Sequence, residues 1–94
     1  MTLNEYQAFA AKNATTSPMR PYYSLLGLTA NLGNLASLHR KVERAANVWD
    51  RESTLEAAAH LADCLFYLTD YATLHKLTLE DIAQWQLERG NKPR

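Results

Sequence analysis

Leu55-Glu56-Ala57-Ala58-Ala59-His60-Leu61-Ala62-Asp63-Cys64-Leu65-Phe66-Tyr67-Leu68 is apolar around nearly its whole circumference when wound as a helix. A helix of that kind is either central in a fold or part of an interface between subunits. Its polar residues fall on one stripe: His60, Asp63, Tyr67 and Asp70 stand at offsets 0, 3, 7 and 10, a single helical face. A largely buried helix keeps such a stripe only where polar partners meet it.

The preceding segment offers those partners. Asn31, Asn34, Leu38 and Lys41 repeat the same offsets, about 100° round from a leucine face made of Leu25, Leu28, Leu32, Leu35, Val42 and Ala46. Two antiparallel helices with facing stripes would set Asn31 and Asn34 against His60 and Asp63.

Helix starts are marked by hydroxyl–carboxylate pairs that satisfy orphan backbone N–H groups: Thr2 with Glu5, Ser53 with Glu56, and Thr78 with Asp81. The prolines Pro18 and Pro21 place a turn before the second helix. The expected helices run near 3–14, 23–47, 54–76 and 79–89. No stretch alternates polar and apolar residues with the β-branched enrichment of a strand. The connections Val48 to Ser53 and Leu77-Thr78 are short, so neighbouring helices are expected to run antiparallel. The fold class is therefore all-α, an antiparallel bundle of about four helices in a single domain over residues 1–94.

Composition narrows the function classes. With 94 residues, 47% of them hydrophobic and 21% charged, the chain can bury roughly 60–70% of its unfolded surface, enough for one core and no second domain. Ten basic residues balance ten acidic ones, so no net field draws the protein to nucleic acid or an anionic membrane. The longest apolar run, Cys64 to Leu68, is far short of the roughly 20 residues that span a bilayer. The start Met1-Thr2-Leu3-Asn4-Glu5 lacks the pattern of a signal peptide, and the single cysteine cannot form an internal disulfide. A cytoplasmic location is the expectation, with Cys64 as inert packing. An apolar third helix in so small a chain further predicts a homo-oligomer, since a monomer would leave a large apolar patch in water.

The stretches Gly27-Leu28-Thr29-Ala30-Asn31-Leu32-Gly33-Asn34-Leu35-Ala36 and Ala59-His60-Leu61-Ala62-Asp63-Cys64-Leu65-Phe66-Tyr67-Leu68 resemble the GLxxExGExA and ELGDxLWYL segments of the MazG-like nucleoside triphosphate pyrophosphohydrolases. Leu3-Asn4-Glu5-Tyr6-Gln7 and Thr78-Leu79-Glu80-Asp81-Ile82-Ala83 are also similar to that family, so the resemblance extends over nearly the whole chain. It implies an all-α fold, hydrolysis of a nucleoside triphosphate to the monophosphate and pyrophosphate, and assembly as a homodimer or homotetramer. It also implies Mg²⁺ held by an ExxE pair on one helix and an ExxD pair on the next. Those positions are Asn31 and Asn34, then His60 and Asp63. Only Asp63 keeps the family's ligand, and three carboxylates are replaced. Mg²⁺ binds chiefly through carboxylates, water and phosphate oxygens, so impaired or absent catalysis is the expectation.

Each candidate has a plainer reading beside the functional one. Asn31 and Asn34 serve either a ligand or hydrogen bonds across a seam. His60 with Asp63 forms either part of a transition-metal site or a local pair within one helix. Lys41 could meet a phosphate, although Arg40, Lys41 and Arg44 equally suit a helix C-terminus. Tyr67 and Asp70 are candidates for contact with a ribose or base, or with each other. Tyr22, Tyr23, Trp49 and Trp85 could stack on a nucleobase or finish the core and an interface. His39 and His75 have no spacing that recommends them as ligands. Three functions remain open at this point: a catalytically impaired nucleotide- or protein-binding oligomer, an active pyrophosphohydrolase with an atypical metal site at His60 and Asp63, and a purely structural helical module.

Overall fold

A computed structural model describes residues 1–13 and 22–90. The described residues form four α-helices and no strand: α1 (Leu3–Lys12), α2 (Tyr22–Ala45), α3 (Arg51–Leu74) and α4 (Leu79–Gly90). The turn expected at Pro18 and Pro21, and the expected end of the first helix at Ala14, lie outside the described residues. No described helix is long and apolar enough to cross a membrane.

The local signals explain most of the boundaries. Thr2 and Glu5 form a complete capping box, the Glu5 N–H donating to the Thr2 hydroxyl and the Thr2 N–H to the Glu5 carboxylate. The Asp81 N–H donates to Thr78 Oγ1 at the start of α4. The third start differs from expectation. Asp50, not Ser53, caps α3: its carboxylate accepts from the Ser53 N–H at 2.8 Å and from the Ser53 hydroxyl at 2.9 Å. A carboxylate is a strong cap and also favours the positive end of the helix dipole, so α3 begins earlier and Glu56 is released from the capping role. At the far end of α3, Lys76 takes a left-handed conformation (φ 59°), and the N–H groups of Lys76 and Leu77 close on the carbonyls of Thr73 and Ala72. That is a Schellman stop, made here without glycine.

The long antiparallel hairpin of α2 and α3 is the principal packing unit; α1 lies against α3, and α4 packs chiefly on α1. The short Leu77-Thr78 link therefore does not lay α4 along α3 as expected. Gln7 explains the difference. Its side-chain amide donates to Thr73 Oγ1 at 3.1 Å and to the Leu77 carbonyl at 2.8 Å, and its oxygen accepts the Leu79 N–H at 2.8 Å. Asn4 adds a bond to the Glu80 carboxylate. Together they tie the start of α4 to α1.

The packed face of α2 is also turned from its expected position. Ser24, Leu38 and Val42 are buried against α3, with Gly27, Leu28, Asn31 and Leu35 half-buried, whereas Leu25 and Leu32 are exposed. α3 has docked over the junction between the leucine face and the polar stripe, where the small Ser24 and Gly27 allow close approach.

Candidate functional site

The hairpin's register rests on two contacts between small and large residues. Ser24 donates its hydroxyl to Asp70 Oδ2 at 2.6 Å, both residues being buried. Gly27 receives the ring of Tyr67, so closely that a Cβ added to the glycine would stand 2.6 Å from ring carbons. Further along, Asn34 and His60 line one hollow. Every forward step on α2 is matched by an equal backward step on α3, as two antiparallel helices require, and the same steps set Asn31 level with Asp63.

The hollow holds about 280 Å³ and is walled by Asn34, Ser37, Leu38, Lys41, Glu56 and His60. A second hollow of about 350 Å³ continues from it towards the α2–α3 connection, sharing Leu38, Lys41 and Glu56 and adding Val42, Ala45 and Asp50 among its walls. Lys41 and Glu56 therefore stand at the boundary of the two. Glu56 was hidden in the sequence behind its apparent capping role; the signal that could have found it is its place one turn before His60 on the same stripe.

The hollow brings together only some of the expected site residues. Asn34, His60 and Lys41 come together in the first hollow. Asn31 is half-buried, and its amide donates back to the Gly27 carbonyl at 2.9 Å. Asp63 is exposed. Tyr67 and Asp70 belong to the register contacts, at the level of Gly27 and Ser24. Along α2, at 1.5 Å per residue, Gly27 is about 21 Å and Ser24 about 26 Å from Lys41, so Tyr67, Asp70 and Lys41 do not share one pocket.

The aromatic candidates do not converge on one platform either. Tyr22 and Tyr23 pack edge to face at 4.7 Å, Trp49 lies 5.2 Å from the ring of His39, and Arg89 stands over Trp85 at 5.3 Å. His75 packs on Tyr71 at 4.4 Å, His39 pairs with Glu43 at 3.3 Å, and Cys64 is buried with a free thiol.

The Ser53 N–H and hydroxyl hold the Asp50 carboxyl below its ordinary value. Among the described residues, no three of His, Cys, Asp and Glu gather as a metal-binding group. Asn31, Asn34, His60 and Asp63, the positions that the resemblance assigned to Mg²⁺, supply one carboxylate, two amides and an imidazole, with an ammonium group, Lys41, in the same hollow as two of them. That set does not fit Mg²⁺, a hard cation that needs anionic oxygens to leave water.

In comparisons with known proteins, the chain matches no family model, no curated protein and no solved structure.

Proposed function

We propose that this chain is a helical binding protein on a MazG-like plan, whose hollow takes a polar ligand without metal-dependent hydrolysis. The observation that supports this most is Lys41 beside Asn34 and His60. An ammonium group occupies the neighbourhood in which a pyrophosphohydrolase would concentrate negative charge, and Glu56 balances it, so the hollow offers a divalent cation no net attraction. What it offers instead is donors: the ammonium of Lys41, the amide of Asn34 and the hydroxyl of Ser37. Those suit the oxygens of a nucleotide phosphate or a comparable polar group.

The test is pyrophosphate release over a panel of nucleoside triphosphates with Mg²⁺ or Mn²⁺, paired with calorimetric binding of the same compounds in a chelator. Binding that survives the chelator and weakens in Lys41→Ala, with no release above background, is the expected result. Robust release abolished by Asp63→Asn would overturn it in favour of an enzyme with an atypical metal site at His60 and Asp63. No binding by any triphosphate would overturn it in favour of a structural module whose seam sets register.

A further inference from the structure

The two hollows form one groove along the α2–α3 pair, because Leu38, Lys41 and Glu56 wall both of them. The ends of the groove differ in chemistry. The first hollow adds Asn34 and Ser37, an amide and a hydroxyl that donate hydrogen bonds as Lys41 does. The second adds Asp50 and Glu52, carboxylates that only accept them. Buried Leu38 and Val42 supply apolar wall. Glu52 stands eight residues before His60 on α3, so the acceptor end lies about 12 Å along the helix from the level that Asn34 and His60 share.

These groups are unspent within the chain. Thr29 and Asn31 on the same helix bond back to the Leu25 and Gly27 carbonyls, whereas among the described residues the side chains of Asn34, Ser37, Lys41, Glu52 and Glu56 have no hydrogen-bond or ion-pair partner. Asp50 is engaged by Ser53 as the cap of α3, which leaves Glu52 and Glu56 as the open acceptors. One ammonium group thus shares the groove with three carboxylates. A purely anionic ligand satisfies the donor end and is repelled by the other; a purely cationic one leaves the donors unused. We propose that the groove binds a phosphate monoester that carries an ammonium group, with the phosphate at Asn34, Ser37 and Lys41 and the ammonium at Glu52 and Glu56. This assignment rests on the reading of the first hollow as a site for phosphate oxygens and adds what the adjoining hollow selects. Hollows of about 280 and 350 Å³ suit a ligand of sugar-phosphate size, and opposite charges at two points fix its direction in the groove.

Calorimetry in a chelator with glucosamine 6-phosphate and glucose 6-phosphate, which differ by one ammonium group, tests the assignment on the full chain. Glucosamine 6-phosphate should bind at least about tenfold more tightly. Glu52→Gln with Glu56→Gln, both at exposed positions and checked by circular dichroism, should bring the two sugar phosphates to equal affinity. Lys41→Ala should weaken both. Equal binding of the two by the wild type overturns the assignment and leaves phosphate binding in the first hollow standing. So does a preference for the amino sugar that the double variant retains. Binding of neither overturns it as well, and the reading of the first hollow falls with it only if no nucleoside triphosphate binds either.

Discussion

Tyr67 of α3 seats its ring against the bare backbone of Gly27 on α2, leaving no room for a Cβ. The two glycines inside α2 therefore predict opposite outcomes. Gly27→Ala gains about 1 kcal/mol of helix propensity but forces the ring away from its seat, at about 1–3 kcal/mol, so the net effect is a loss of stability. At Gly33 a methyl group would meet nothing within 4 Å, and Gly33→Ala should raise stability by about 1 kcal/mol. Urea denaturation of the two variants side by side gives the comparison; equal shifts would mean that Tyr67 yields without cost.

The buried bond from Ser24 to Asp70 makes a second prediction. Ser24→Ala removes a donor from a buried carboxylate, which costs about 1–3 kcal/mol. The effects of Ser24→Ala and Asp70→Ala should not add, because the two side chains share one interaction. A double-mutant cycle by chemical denaturation checks this, and additive losses would separate the two residues energetically.

Asp50 makes the stability of α3 depend on pH. Its carboxyl is held below the ordinary value by the Ser53 N–H and hydroxyl, so the ionised group stabilises the fold above the pKa of the unfolded chain. That contribution is lost as pH falls through the lower, folded value. Asp50→Ala should lower Tm near neutrality and flatten the acid limb of the profile. Thermal melts by circular dichroism from pH 7 to pH 2 measure both, and an unchanged acid limb would remove Asp50 from the account.

Carboxylates can be introduced at the positions that the resemblance assigned to Mg²⁺. Asn31→Glu, Asn34→Glu and His60→Glu together, with Asp63 in place, should produce measurable Mg²⁺ binding by calorimetry, because the register sets Asn31 level with Asp63 and Asn34 beside His60. Each single change should do little, since ligands act as a set. Adding Lys41→Gln should tighten binding further by withdrawing the competing ammonium. A triple variant that ignores Mg²⁺ both with and without Lys41 would show that the two stripes do not converge on one ion.

The sequence by itself determined that the chain is all helix, roughly where each helix lies, and which polar residues share a stripe. These are local properties: the Thr2 and Thr78 caps act within three residues, and the offsets of Asn31, Asn34 and Lys41, or of His60 and Asp63, follow from the helical period alone. Even locally, the start of α3 was ambiguous, because Asp50 and Ser53 both carry capping side chains and only the path of the incoming chain selects between them. Tertiary structure decided what each stripe meets. Small residues at Ser24 and Gly27 let Asp70 and Tyr67 approach, and that register brought Glu56 into the hollow with Lys41 and His60. It also rotated α2 so that Leu38 was buried while Leu25 and Leu32 remained exposed. Gln7 reached across the chain to fasten α4 on α1 instead of on the hairpin. Contacts between residues so far apart in sequence depend on close packing and on satisfying buried polar groups, and neither leaves a periodic trace in one helix.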